Sequence, residues 1–397
     1  MNAAAETALV LSGGGAYGAF SVGVMKVLFA GRSPATGYQP LQADIFTGAS
    51  VGSFNAALMV AYPGDRTLDT ALRLESIWLD RVAKRPGSCG NHVFRVRNPL
   101  AFLDVNCSVR QPAVVASNFA GDTLAIGSYV LERTANFLAS SGSLENRLID
   151  SLNIGSFIDE EPFHRLVQEV IPEAAIRQSP LRLSVSTTDW VNGKVRYFSN
   201  PDFHHDRGVR SVVASAAVPG FFPPIMIDGS QFVDGGVVDN TPIGRAINLG
   251  ATELHAIYMV PQPKFIPLSA MPNTLETLLR VYYLMLAAKI SEDIESVRWI
   301  NNGLRLLQRP AGHISEIESR DLARAAGQIL GRSGVPYRPI VVHRYIPGSI
   351  LGGTVGSLDF GLDEILEMIR QGEAAALLHD CAKSCCVLVE PEGEIDR

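Results

Sequence analysis

At 397 residues the chain is long enough to bury a large core, either as one α/β domain or as a core with an appendage. Its 47% hydrophobic and 19% charged residues are those of an ordinary globular protein, which excludes wholesale disorder and a membrane bundle. A net charge of -6 with no basic arm gives no reason to expect nucleic acid as a partner.

The first apolar run, "TALVL", has no basic stretch before it and leads straight into "SGGGAYG". It therefore reads as a first core strand and not as a signal peptide. No apolar run reaches the roughly 20 uncharged residues that a spanning helix needs. The expected location is cytoplasmic, with peripheral contact to a membrane surface left open.

Gly13, Gly15 and Gly18 fit G-x-G-x-x-G ahead of the helix-like "SVGVMKVLFAG". A glycine turn between strand and helix aims free backbone N–H groups at an anion, whether a dinucleotide phosphate or some other negative charge. A dinucleotide site also wants an acidic residue at the end of the next strand. Here the next apolar run, "DIFTGASVGSFNAALM", carries a second glycine turn instead.

That turn places Gly48, Ser50 and Gly52 in G-x-S-x-G spacing, between a strand-like and a helix-like run. A serine on such a tight turn projects its hydroxyl from the sheet, and the helix start with the Val51 N–H favours a developing negative charge. Two successive β-turn-α units call for a parallel sheet covered by helices, with both turns at one sheet edge. The N–H groups of Gly13, Gly14 and Gly15 would then face Ser50. The loop reads better as an oxyanion hole for acyl transfer than as a cofactor cradle.

A helix follows over 65–85, and glycines and prolines then blur the pattern, so about 86–155 reads as an insertion or lid. "SFIDEEPFHRLVQEVIP" regains helical order, with Asp159 as a cap and Pro162 in the first turn. Alternating residues around Asn192-Gly193 predict a hairpin with a two-residue turn, and Asp228-Gly229 predicts another. Between them a helix, "VRSVVASAAV", stops at Pro219. Asp234 ends a strand-like run and precedes Gly235 and Gly236, but Asp-Gly is also an ordinary turn dipeptide. "IGRAINLGA" and "ELHAIYMV" give a last helix and strand. After Pro261 the pattern is helical, with amphipathic stretches from about 275 to 300 and in "LDEILEMIRQGEAAALL". None of the eight histidines stands in a glycine-punctuated strand-end loop. Of five cysteines, Cys381, Cys385 and Cys386 crowd near the C-terminus without histidines at zinc-finger spacing, so reduced thiols are expected.

With "SGGGAYG", "GASVG", "ASAAVPGFFPPI" and "DGGVVDNTP" in this order over about residues 8–260, the chain resembles the patatin-like phospholipases. The resemblance implies a three-layer α/β/α fold with a central, mostly parallel sheet. Its catalytic domain would cover 5–260, with a helical extension over 261–397 packed on the core. It also implies a serine lipid acyl hydrolase that cleaves carboxylic ester bonds of phospholipids or related acyl lipids. Ser50 would be the nucleophile, Asp234 the base and Gly13, Gly14 and Gly15 the oxyanion loop, supported by Gly18, Gly48, Gly52, Gly235 and Gly236. No catalytic histidine, metal or cofactor is implied.

One position departs from the family's pattern: Tyr17 stands where a basic residue is common. Two other readings stay open, a nucleotide-cofactor oxidoreductase built on the first loop and a catalytically silent, membrane-associated binding protein. Headgroup, acyl chain and oligomeric state are not legible.

Overall fold

A computed structural model describes residues 6–62, 67–85, 93–96, 112–139, 158–259, 274–308, 338–348, 351, 356–384 and 386–388. In chain order the elements are β1 (Glu6–Leu11), α1 (Gly18–Phe29), β2 (Ile45–Ala49), α2 (Val51–Ala61), α3 (Thr67–Ile77), β3 (Arg95–Val96), α4 (Pro112–Ala139), β4 (Ile158–Asp159), α5 (Glu161–Val170) and α6 (Glu173–Gln178). There follow β5 (Arg182–Asp189), β6 (Lys194–Ser199), α7 (Arg207–Ser215), β7 (Ile225–Ile227), β8 (Ser230–Asp234), α8 (Ile243–Asn248), β9 (Ala251–Ile257), α9 (Thr274–Gln308), β10 (Val341–Tyr345) and α10 (Leu362–Leu377).

The main sheet runs β10-β9-β1-β2-β5-β8-β7, with β6 on the other edge of β5. From β10 to β5 every neighbour is parallel, while β6, β7 and β8 add antiparallel pairs. Alternation along β1 explains why helices cover both faces. Leu9 and Leu11 enter one core, with α1, α2, α3 and α10, and Ala8 and Val10 enter a second, with α8 and the later part of α9. A strand apolar on both sides must be buried on both. The mostly parallel, helix-flanked sheet is the expected fold class.

The strand β5 forks, and the fork builds the site. Its first half, Arg182–Ser186, pairs with Ile45–Ala49 of β2, and its second half, Thr187–Asp189, pairs with β8 through Asp234, Val233 and Phe232. Because β6 occupies the other edge, β2 and β8 share one edge of β5 end to end. Ala49 and Asp234 thus lie opposite adjacent residues, Ser186 and Thr187.

Local expectations meet two differences. The hairpin at 181–199 forms, but its loop is four residues, Trp190–Gly193, because the Asp189 side chain accepts from the N–H groups of Val191 and Asn192 at 3.0 and 2.9 Å and holds a wider turn. Asp228-Gly229 does form a two-residue turn, with both residues at positive φ. The C-terminal third supplies the edge strand β10 as well as helices. Within 86–155, the elements among the described residues are β3, paired with β4, and the helix α4.

Candidate active site

Ser50 stands between β2 and α2 at φ 53° and ψ -130°, a conformation that costs a non-glycine residue about 1–3 kcal/mol. Surrounding contacts impose it. A Cβ on Gly48 would run into the backbone of Gly52, and one on Gly52 into the carbonyl of Leu11, so only glycines let the turn close on β1. The Ser50 N–H donates to Ser215 Oγ at 2.9 Å, and Ser215 Oγ donates to the Ser186 carbonyl at 2.5 Å, which ties the turn to β5.

Asp234 ends β8 fully buried. Its N–H donates to the Ala217 carbonyl at 2.9 Å, and its Oδ1 accepts from the Gly236 N–H at 2.6 Å. Burial pushes the carboxyl pKa up to about 7, against the opposing pull of the Ser50 hydroxyl, the Gly236 N–H and the Tyr282 hydroxyl. Oδ2 has no hydrogen bond of ordinary geometry among the described residues. Gly235 and Gly236 allow this closeness. A Cβ on Gly235 would strike the Ser186 carbonyl, and one on Gly236 would come within 2.8 Å of Asp234 Oδ1 and 3.0 Å of Tyr282 Oη.

The first glycine loop lies against the serine, as the side-by-side turns require. A Cβ on Gly13 would sit 2.8 Å from Ser50 Cβ and 2.6 Å from Asn240 Oδ1. The Gly13 N–H, however, donates to the Asn240 carbonyl at 3.2 Å and to its Oδ1 at 3.0 Å. In this structure it is a tether to Asn240, whereas the sequence suggested an oxyanion donor. The N–H groups of Gly14, Gly15 and Val51 donate to no acceptor among the described residues, and these three line a cleft together with Ser50. Gly18 serves packing: a Cβ there would meet Val51 at 2.6 Å and Trp78 at 2.7 Å. Tyr17, where a basic residue is common in the family, is 4% exposed, belongs to the main core and is not among the residues that line the cleft.

The cleft encloses about 1040 Å³, solvent at its mouth included, and its walls are apolar, among them Phe54, Trp78, Phe94, Phe163, Phe222 and Phe360. Among the described residues no histidine lines it. Four contributors escaped the sequence reading. Ser215 and Asn240 lie inside the quoted "ASAAVPG" and "DNTP" segments, where nothing local marks the hydroxyl or the amide as a tether. Tyr282 on α9 and Ser357 in a short turn after β10 come from the C-terminal third, and only the fold brings them to the cleft.

A family model described as "Patatin-like phospholipase" matches residues 9–247. The chain belongs to the patatin-like phospholipase family. The matched span holds the glycine loop, Ser50 and Asp234, and stops short of Tyr282 and Ser357. Relatives of this patatin-like chain include an uncharacterized NTE family protein of Mycobacterium tuberculosis, 26% identical over 189 residues, which are 46% of this chain and 49% of that protein. The "Lysophospholipase nte1" of Aspergillus terreus is 24% identical over 251 residues, 63% of this chain and 12% of that protein. The chain thus spans about half the length, or less, of the curated relatives it matches. A crystal structure of VipD from Legionella pneumophila aligns with 93% of this chain and 68% of its own at 17% identity, but a TM-score of 0.32 carries no argument.

Proposed function

We propose that the chain is a serine lipid acyl hydrolase that cleaves carboxylic ester bonds of phospholipids or related acyl lipids through Ser50 and Asp234. The observation that carries this reading is the meeting of a strained serine, which lines the apolar cleft, with a fully buried carboxyl of pKa about 7. A base poised near neutral pH can take the hydroxyl proton as Ser50 Oγ attacks the ester carbonyl. The carbonyl oxygen becomes an oxyanion, which the Gly14, Gly15 and Val51 N–H groups and the positive end of α2 would receive. Asp234 then returns the proton to the departing alkoxide, leaving an acyl-serine. Water enters with Asp234 again as base, and the acid leaves.

Aromatic walls suit an acyl chain, and the name of the Aspergillus relative points the same way. A nucleotide-cofactor reading is weakened because Asn240 occupies the first N–H of the loop. The test is labelling by a fluorophosphonate and hydrolysis of a lipid panel, comparing wild type with Ser50→Ala. Wild type should label and hydrolyse, and Ser50→Ala should do neither, with a loss of about 10³-fold or more. Retained hydrolysis in Ser50→Ala overturns the assignment. A folded wild type that neither labels nor hydrolyses is a silent binding protein.

A further inference from the structure

Away from the cleft, His343, His379, Cys381 and Cys386 converge on one point. His343 is the central residue of β10 and pairs with His255 of β9. After α10 the chain turns back along the sheet edge, so that His379 and Cys381 lie in the turn and Cys386 follows it. Val342 and Val387 exchange backbone hydrogen bonds of 2.8 and 3.0 Å, which lays this last segment antiparallel against β10. One ligand atom from each of the four side chains falls within 4.8 Å of all the others.

The spacing is that of a shared centre. Cys381 Sγ lies 3.4 Å from His343 Nδ1 and 3.4 Å from His379 Nε2, and Cys386 Sγ lies 3.5 Å from His379 Nε2. A tetrahedral zinc ion, with Zn–N of about 2.0–2.1 Å and Zn–S of about 2.3 Å, sets its N···S ligand separations at about 3.5 Å. Thiol hydrogen bonds alone would satisfy these atoms in pairs. They would not require all four to face one another.

We infer that His343, His379, Cys381 and Cys386 form a structural zinc site that staples the C-terminal segment to the edge strand β10. Two thiolates and two imidazoles select zinc over harder cations, and two thiolate charges neutralise the ion in a part-buried setting. The Arg344 N–H donates to Cys386 Sγ at 3.3 Å, the kind of outer contact that steadies a ligating sulfur. His255 stacks on His343 with ring centroids 4.9 Å apart, and Glu253 completes a group with these two histidines. Four protein ligands leave no open position, which fits a structural ion and not a catalytic one. None of the four lines the Ser50 cleft, so the site stands apart from the proposed hydrolysis. Stapling also covers part of the free edge of β10, a place where exposed strands invite pairing with other chains.

The expectation of plain reduced thiols changes accordingly. Its premise, the lack of histidines at zinc-finger spacing, holds along the sequence and fails in space, because β10 delivers His343 from before α10.

The test is metal content of the full chain, purified under reducing conditions without chelator, supplied with Zn²⁺ and freed of loosely held metal by gel filtration. Elemental analysis should find about one zinc per chain, and a Cys381→Ser/Cys386→Ser variant should hold less than about a tenth of that. Because the variant can fail to fold, wild type loaded with Co²⁺ supplies a second readout. Thiolate-to-cobalt charge-transfer bands and intense tetrahedral visible bands are expected, and chelation should lower the melting temperature until zinc is restored. Folded wild type without stoichiometric zinc, a cobalt spectrum without thiolate bands, or a Cys381–Cys386 disulfide in the reduced preparation overturns the site.

Discussion

As the proposed base, Asp234 would answer two opposed demands, since a base must be charged while complete burial disfavours charge. The compromise, a pKa of about 7, makes both activity and stability depend on pH. Activity should rise with pH through about 7 as the carboxyl loses its proton, and a kcat/KM profile measures this limb. Stability runs the other way. The folded carboxyl binds its proton more tightly than an unfolded one of pKa 3.8, so its contribution is fully present below 3.8 and is lost as pH rises through about 7. Asp234→Asn should therefore cost about 10³-fold in turnover or more. The same substitution should raise the melting temperature relative to wild type increasingly as pH climbs through that window. Thermal melts across pH check the second half, and a constant difference would show that the carboxyl is not the titrating group.

At the scale of elements, the helix α9 belongs to the site although the matched family span ends before it. Tyr282 lines the cleft and brings its hydroxyl to Asp234, favouring the charged carboxylate. Tyr282→Phe removes that donor, so the alkaline-rising limb of the kcat/KM profile should move to higher pH, with a loss of turnover at neutral pH that recovers as pH is raised. A purely structural tyrosine would lower activity evenly and leave the limb where it was. The strand-turn-helix units around Gly13–Gly15 and Ser50 were legible because turn chemistry is local, and Asp234 was legible through its motif. That Ser50 and Asp234 meet followed only from the resemblance and from nothing local, since it depends on β5 pairing with β2 and then β8 along one edge. Tyr282 shows the limit from the other side: "YYLMLAAKI" reveals an amphipathic helix, yet nothing in it says which residue turns toward a carboxyl made far upstream. Gly13 was read as a donor for the same reason, because the amide that occupies its N–H, on Asn240, lies across the fold.

On the scale of the whole molecule, if the proposed hydrolase acts on long acyl chains it must reach lipid that is aggregated, and exposed apolar residues are where that contact would fall. Val281, Leu284 and Met285 on α9 are 50%, 44% and 46% exposed, and their i, i+3, i+4 spacing puts them on one face. They lie within three residues of Tyr282, which lines the cleft. Among the described residues no helix is long and apolar enough to cross a membrane. With a net charge of -6 the chain gains nothing from anionic headgroups, so binding should rest on apolar insertion. The protein should pellet with zwitterionic vesicles, and neither anionic lipid nor lower salt should strengthen the interaction much. Each side chain fully moved from water is worth about 1.5–3 kcal/mol, so replacing all three by serine should reduce vesicle partitioning by well over tenfold. Hydrolysis of vesicle lipid should fall with it, while a monomeric short-chain ester, which needs no surface, is turned over at nearly the wild-type rate. Equal wild-type rates on monomeric and micellar substrate, with no pelleting, would instead describe an esterase that works in solution and uses this face for something other than lipid.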